Sequence, residues 1–429
     1  MIEIDFVRKN PEKVRENLSR RNNSEFLGLF DDFLKKDTDY RNALQNIEAL
    51  KRNRNDLTKQ VQVLMKDKKD AKKAIAEAKK VSDEIKSLEV EVVQLKESSD
   101  SCLKRLPNLL HDSVPFGKDD SENVVVKTYG KKPKLGFEIK HHGEFAVSLN
   151  GADFERAVKI SGSGFYFLKN EIALLDLALS RLGIDLLLKK GFSLIQPPLL
   201  LKKEPYEGVI EMDAFENVMY KIEGSDSYLI ATSEHPMVSM HMNEIFSEHD
   251  LPIKYAGLSP CFRKEIGKHG LDERGLFRVH QFNKVEQVVF CKPEDSKKIH
   301  EELLQNSVDL LNALELHFNV VNVCTGDIGY IASKKYDVNA YSPREDKFIE
   351  LMSCSNCTSY QANRLGIKFR PDKGEKQLVH TLNNTMIATS RALRIILENY
   401  QQADGSLKIP KALLPYMNGM KEITPKKLK

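Results

Sequence analysis

Two blocks of a seven-residue hydrophobic repeat, separated by a short polar break, constrain this chain more than any other feature. In the first block apolar residues step by three and four through Tyr40, Ala43, Ile47, Leu50, Leu57, Val61 and Leu64, interrupted only by Arg54. The second block runs through Ala71, Ala74, Ala78, Val81, Ile85, Leu88, Val92 and Leu95. This spacing keeps one stripe of each helix against a partner and makes helices supercoil. The break, Met65-Lys66-Asp67-Lys68-Lys69-Asp70, is polar and short, as a tight turn between antiparallel helices requires. It argues against one continuous helix. Each helix is expected to span roughly 26–28 residues, about 40 Å at 1.5 Å per residue. With each seam covered by the other, the hairpin is expected to project as an arm.

Charge gathers towards the tip of that hairpin. Between Lys51 and Lys80 there are eleven basic residues and four acidic ones, a local excess of +7, whereas the whole chain carries only +4. Three readings fit: an ordinary solvated surface, a dimerisation coiled coil, or an arm that contacts nucleic-acid phosphates, where clustered Lys and Arg displace counterions. On the third reading the candidate contacts are Arg52, Arg54, Lys59, Lys66, Lys68, Lys69, Lys72 and Lys73. Phe6, Val7, Val14 and Leu18 suggest a small helical base. The polar, Gly- and Pro-containing stretch after the hairpin reads as a linker. The expected division is a helical domain at 1–112, a linker at 113–135, a second domain at 136–417 and a basic tail at 418–429.

The length of 429 residues exceeds what one core usually serves, and 41 % hydrophobic with 30 % charged residues suits globular domains with a charged surface. The most apolar run, Ile172 to Leu188, is broken by Asp176, Arg181 and Asp185, so no membrane span is expected. The acidic start, Met1-Ile2-Glu3-Ile4-Asp5, does not resemble a signal or transit peptide, and a cytoplasmic location is expected. The six cysteines are scattered. Cys354 and Cys357 form a lone C-x-x-C, and a closed zinc site wants about four ligands. The pair is read as thiols in a strand-to-turn segment, and no zinc is expected.

The remainder reads as α+β. Helix-period apolar residues occupy Asp153 to Lys190, with Gly191 ending the helix and Phe192 to Leu201 strand-like. Strands are expected at 227–232, 254–262, 277–289, 320–325 and 348–353, and a long helix at Thr381 to Tyr400. Strands in succession with helices set apart suggest an antiparallel sheet backed by helices. No phosphate-binding G-x-x-x-x-G-K-[ST] loop is present, and Ser161-Gly162-Ser163-Gly164 reads as a turn. A nucleotide would therefore be held by side chains on the sheet. Arg263 and Glu265 precede a Gly-containing loop, Ile266 to Arg274, and on a strand Arg278, His280, Phe282, Lys284 and Glu286 would share one face. Two arginines can clamp phosphate oxygens and Phe282 can stack on a purine. A solvent-facing strand is the plainer reading of the same pattern.

These residues carry a resemblance. Phe262-Arg263-Lys264-Glu265 with Phe277 to Glu286 resembles motif 2 of class II aminoacyl-tRNA synthetases. Phe192 to Pro198 resembles motif 1. His380-Thr381-Leu382-Asn383 to Ser390-Arg391, running into Leu397-Glu398-Asn399-Tyr400-Gln401, resembles motif 3 of the seryl family. Ala231-Thr232-Ser233-Glu234 is similar to that family's Thr-x-Glu serine loop, Glu350 to Asn356 to its metal and ATP strand, and the helical hairpin to its arm. The resemblance spans essentially the whole chain.

The resemblance implies an α+β fold with an N-terminal antiparallel coiled-coil arm and a class II catalytic domain, an antiparallel sheet flanked by helices. It implies a ligase that activates L-serine with ATP and passes it to tRNA(Ser), leaving tRNA(Sec) open as a second acceptor, and a homodimer built through motif 1. Arg263, Arg278 and Arg391 would be the catalytic cations. Arg263 would hold the α-phosphate and the serine carboxylate, Glu265 the adenine amino group, Arg278 the terminal phosphates, and Arg391 the γ-phosphate. Phe282 would lie under adenine, with Lys264, Val279, Leu351 and Met352 completing the ATP set. Glu350 and Ser353 would bind Mg2+. Thr232, Ser233, Glu234, Glu286, Asn383 and Thr385 would surround serine. Two positions depart from the family pattern. Asn384-Thr385 replaces Gly-Ser, which puts the geometry of Thr385 in question, and Met352 stands where a small residue is common. A ligase serving a carrier protein, and a non-catalytic RNA-binding scaffold, are the competing classes. The arm counts against the first and the retained Arg263, Glu286, Glu350 and Arg391 against the second.

Overall fold

The computed structural model describes residues 1–212, 216–265 and 275–425. It divides into two compact units, Met1–Pro107 and Asn108–Lys429.

The first unit is helical: α1 (Ile4–Lys9), α2 (Pro11–Ser19), α3 (Ser24–Lys66) and α4 (Lys72–Arg105). The side chain of Asn23 caps α3 by accepting from the Glu25 N–H at 2.9 Å. The expected seam is present: Ala43, Ile47, Ala74, Val81 and Ile85 are buried, and Leu50, Leu57, Val61, Leu64, Leu88, Val92 and Leu95 are half-buried between the antiparallel helices. The turn falls at the polar break, with Lys68 at φ +56°. Both helices are longer than the repeat suggested, 43 and 34 residues. For the first helix the reason is Asp37. It occupies the buried stripe between Phe33 and Ala43, 2 % exposed, and is neutralised by Arg8 at 2.6 Å and Arg41 at 3.1 Å. A charge inside the stripe hid the continuation of the helix, although a paired one is tolerated.

The second unit is built on an eight-stranded sheet: β1 (Val124–Tyr129), β2 (Ser193–Ile195), β3 (Ile253–Phe262), β4 (Gln281–Cys291), β5 (Phe318–Asn322), β6 (Lys334–Ser342), β7 (Lys347–Thr358) and β8 (His380–Ala388). Their order is β1-β5-β6-β7-β8-β4-β3-β2, antiparallel throughout except for the edge pair β3–β2. The flanking helices that matter here are α5 (His142–Ser148), α6 (Asn170–Leu188), α7 (Glu234–Ser239), α8 (Ser296–Ala313) and α9 (Thr389–Asn399). Ile172, Leu175, Leu179, Leu182 and Leu187 bury one stripe of α6, and Gly191 at φ +81° turns the chain towards β2. One sheet face packs on α6 and α8, with Val285, Val289, Leu382 and Met386 in that core. Alternate residues of the central strands point to the opposite face, where the cavity lies.

Three expectations are corrected. The stretch 113–135 is not a linker: it includes β1, which pairs with β5, and the side-chain amide of Asn108 donates to the Ile331 and Cys357 carbonyls at 2.8 Å. Its polarity reflects an edge strand whose Val124, Val125 and Val126 stay exposed. Thr381 to Tyr400 is not one helix but strand β8 followed by helix α9. β8 is central and buried on both faces, so it lacks the alternation that marks a strand, and periodicity could not separate it from a buried helix. Finally, β4 begins at Gln281, so Arg278 and His280 precede the strand. The motif 2 loop, 266–274, and the end of the basic tail, 426–429, lie outside the described residues.

Candidate active site

A cavity of about 690 Å³ opens on the sheet face away from α8. β4 supplies Phe282, Lys284 and Glu286 to it at alternate positions, as a pleated strand must. β8 supplies Asn383 and Thr385, and β7 supplies Glu350, Leu351, Ser353 and Ser355. Arg263 and Glu265 follow the end of β3, Thr232 and Glu234 stand at the start of α7, and Arg391 lies in the first turn of α9. Arg278 reaches the wall from the segment before β4.

One end of the cavity is cationic. The Arg263 guanidinium lies 5.3 Å from the Phe282 ring centroid and its Nε donates to the Ala231 carbonyl at 3.3 Å. Arg278 Nε donates to Glu265 Oε2 at 3.1 Å. Arg391 Nη1 is 3.2 Å from Glu350 Oε1 and donates to the Glu350 carbonyl at 3.1 Å. Burial opposes ionisation of Glu350, but Arg391, Lys335 and Arg263 more than offset it and hold the carboxyl below its ordinary range. Burial likewise opposes charge on Lys335, but Asp337, Glu350 and Asp327 hold its ammonium above the ordinary lysine value. Behind this end, the Phe277 ring lies 5.3 Å from the Arg391 guanidinium and 4.5 Å from that of Arg394. Arg394 is buried and ion-paired to Glu345 and, at 2.9 Å, to Glu398. The Leu276 N–H donates to His142 Nε2 at 3.2 Å, which ties the chain entering Phe277 to α5.

The other end is a small polar niche. Glu234 accepts from Asn383 Nδ2 at 3.1 Å and Gln361 Nε2 at 3.0 Å. Burial, reinforced by the charge of Glu286, pushes the Glu234 carboxyl up to about 7. Glu286 pairs with Lys284 at 2.5 Å and accepts from the Thr385 hydroxyl at 3.1 Å. The Glu234 N–H donates to Thr232 Oγ1 at 3.2 Å. Burial also pulls His235 down to about 3, so it is a neutral neighbour, 3.0 Å from the Tyr206 hydroxyl.

Four expected site residues are not on the cavity wall. Lys264 turns away, its Nζ 5.9 Å from the Tyr220 ring centroid. The Ser233 hydroxyl donates to the Gly257 carbonyl. Met352 is buried in the core opposite the cavity. Val279 lines only a smaller adjoining recess with Arg278 and Phe282. His280 also leaves the expected face: it stacks on Phe165 and its Nδ1 lies 2.6 Å from the Tyr220 hydroxyl. The substitution at Asn384 costs the niche nothing. Alternation sends Asn384 to the helix side, where its amide donates to the Leu303 carbonyl and, at 2.8 Å, to the Ser307 hydroxyl of α8, leaving Thr385 to face Glu286. The C-x-x-C thiols part company: Cys354 packs under α8, Sγ 3.7 Å from the His300 carbonyl, whereas Cys357 lines the cavity beside Asn383.

Sequence reasoning missed Lys335, Asp337 and Gln361. Lys335 and Asp337 left a faint signal, two opposite charges at i and i+2 in the mixed strand Lys334–Ser342. Gln361, which also accepts from the Thr381 hydroxyl at 2.6 Å, left none.

An antiparallel sheet whose face gathers three arginines, a carboxylate strand and an adjoining acidic niche defines the core of a class II aminoacyl-tRNA synthetase. Residues 218–400 match the family model of the tRNA synthetase class II core domain (G, H, P, S and T), and residues 1–110 that of the seryl-tRNA synthetase N-terminal domain. The chain belongs to the seryl-tRNA synthetase family. It is 54 % identical to a serine–tRNA ligase of Methanocella arvoryzae over 98 % of this chain and 99 % of that one, and 46 % identical to that of Thermococcus sibiricus over 99 % and 98 %. The structure resembles the crystal structure of seryl-tRNA synthetase from Pyrococcus horikoshii complexed with ATP, with a TM-score of 0.97, 44 % identity and full coverage of both chains. It also resembles the cytoplasmic serine-tRNA ligase of Naegleria fowleri in complex with AMP, with a TM-score of 0.90, 33 % identity and 97 % coverage of each. Among the described residues no helix is long and apolar enough to cross a membrane.

Proposed function

We propose that the protein activates L-serine with ATP and transfers it to tRNA(Ser), with the arginine end of the cavity holding a bent triphosphate and the acidic niche holding serine. The observation that carries this reading is the convergence of Arg263, Arg278 and Arg391 with Glu350 on one cavity that also contains Glu234, Glu286 and Thr385. Serine-dependent exchange of pyrophosphate into ATP, run across the twenty amino acids, tests it. Exchange with another amino acid but not serine defeats the assignment.

In the first step a serine carboxylate oxygen attacks the α-phosphorus in line, the bond to the bridging oxygen breaks, and pyrophosphate leaves with the electron pair. No covalent bond to the enzyme is needed, so the work is positioning and neutralising charge. Arg263, whose charge acts on both Glu234 and Glu350, bridges the serine carboxylate and the α-phosphate. Arg391 and Arg278 take the terminal phosphates, Phe282 the adenine face, and Glu265 the adenine amino group. Glu234 and Glu286 receive the α-ammonium and hydroxyl of serine. The Thr385–Glu286 and Asn383–Glu234 bonds orient both carboxylates, and an alanine side chain would leave these buried groups unpaired. In the second step a terminal ribose hydroxyl of tRNA attacks the adenylate carbonyl and AMP leaves.

Hard oxygen donors suit Mg2+, and Glu350 with Ser353 on the cavity wall offers two, the number expected for an ion that arrives on nucleotide phosphates. When bound there the ion supplies Lewis-acid neutralisation of phosphate charge.

The basic hairpin is the part that engages tRNA, by shape and backbone. The exposed Lys59 and Lys69 side chains near its tip support this. The protein is a homodimer through the motif 1 region, supported by large apolar side chains left exposed there: Leu177 and Leu188 on α6, then Leu194, Leu199 and Leu200. Its six free, buried cysteines fit work in the reducing cytoplasm.

A further inference from the structure

Neighbouring strands β6 and β7 hold an ion pair that none of the roles above uses. Asp337 stands opposite Ser353 and Lys335 opposite Ser355 in the antiparallel register, so all four share the sheet face that carries the cavity. Lys335, Ser353 and Ser355 line it. Lys335 Nζ lies 3.2 Å from Asp337 Oδ2, with side-chain exposures of 18 % and 6 %. Lys335 is the second residue of β6 and Asp337 the fourth, and the lysine reaches the cavity wall.

A buried pair of this kind is poor material for stability, since desolvating two charges consumes most of their attraction and an apolar pair of the same volume packs as well. Its place explains it better. The Lys335 ammonium reaches along β6 to Asp337, which stands opposite Ser353, so it lies beside the strand that brings Glu350 and Ser353 to the cavity. Arg391 is ion-paired with Glu350 at 3.2 Å and Arg278 with Glu265 at 3.1 Å, whereas the ion pair of Lys335 is with Asp337, outside the cavity lining.

We propose that Lys335 is a further catalytic residue, binding the β,γ-phosphates and neutralising the departing pyrophosphate, and that Asp337 is the positioning residue that aims it. The inference rests on the reading of this cavity as the serine-activating site. As the bond between the α-phosphorus and its bridging oxygen breaks, the electron pair stays on pyrophosphate, and the ammonium stabilises that charge without giving up its proton. In reverse, the same contact holds pyrophosphate for attack on the adenylate. The second step releases AMP and involves no pyrophosphate, so Lys335 has no part in it.

The test separates the two steps. Lys335→Ala is expected to raise KM for both ATP and pyrophosphate and to lower serine-dependent exchange about 10²-fold, the usual cost of one charge-stabilising donor. Its pyrophosphate affinity by calorimetry falls in parallel. Single-turnover transfer from isolated enzyme-bound seryl-adenylate to tRNA stays within about twofold of wild type, a change worth under about 0.5 kcal/mol. Asp337→Asn is expected to raise KM for pyrophosphate with kcat largely kept, and Lys335→Arg to restore part of the binding. Because a lone Lys335→Ala strands a buried carboxylate, the double variant Lys335→Met, Asp337→Leu serves as the folded control and is expected to show the same split. Unchanged pyrophosphate affinity in either folded variant, or transfer slowed as much as activation, overturns the inference. Loss of exchange in the wild-type protein would instead sink the underlying reading.

Discussion

Glu234 sets the sharpest expectation for a single side chain. Its carboxyl is pushed up to about 7 by burial and by Glu286, so the empty niche takes up a proton as pH falls through neutrality. An anionic Glu234 is what a serine ammonium needs. The KM for serine is therefore expected to rise below pH 7 and to level off above pH 8, and Glu234→Gln should remove the inflection while raising KM throughout. Stability runs the other way. A carboxyl whose folded value exceeds its unfolded one stabilises the fold fully below about 4.3 and loses that contribution as pH rises through about 7. Melting of the ligand-free Glu234→Gln variant should accordingly be less pH-dependent between those limits. Thr385→Val removes a hydroxyl from Glu286, at a cost of about 1–3 kcal/mol for the stranded buried group. The discrimination between serine and alanine in pyrophosphate exchange should shrink correspondingly, and unaltered discrimination would place the hydroxyl-reading group elsewhere.

Among elements, the hairpin was the most legible in sequence, because two helices that bury most of their seam against each other must carry a sustained repeat. Its first helix was cut short where Asp37 replaces an apolar residue in the stripe, and its second runs on past Leu95 to Arg105. Strand β8 was the least legible. Leu382, Met386 and Ile387 on one side and Asn383 and Thr385 on the other are all buried, so nothing in the local pattern distinguishes strand from helix. The site followed the same logic. Charged residues on β4 stood out because a strand face rarely carries them, whereas Gln361 acts through one hydrogen bond to Glu234 and resembles any polar residue. Ile85→Ala tests the seam. It is expected to cost about 2–5 kcal/mol of helix stability and to leave pyrophosphate exchange untouched. Replacing Arg54 to Lys80 by a short turn is expected to spare exchange and abolish tRNA charging; loss of both in a folded deletion would count against a purely tRNA-directed arm.

At the scale of the molecule, the exposed leucines of α6 and of the strand segment after it are expected to be covered by a second copy. Leu194→Lys should shift sedimentation towards a monomer at micromolar concentration. A wild-type monomer at working concentration would contradict the assembly outright. Neither the residue nor the element scale predicts this state, because an exposed leucine is unremarkable alone and informative only beside several others on one surface.

Phe277 lies against two arginine side chains, and this has a mechanical consequence. The ring joins the start of the second motif 2 segment to the first turns of α9, while His142 of α5 accepts from the neighbouring Leu276 amide. Three stretches distant in sequence thus share one hinge pin. Nucleotide seated by Arg391 would stiffen the backbone at 276–279 and 389–395 together, so amide exchange in both stretches should slow in concert when ATP is added, and Phe277→Ala should uncouple them.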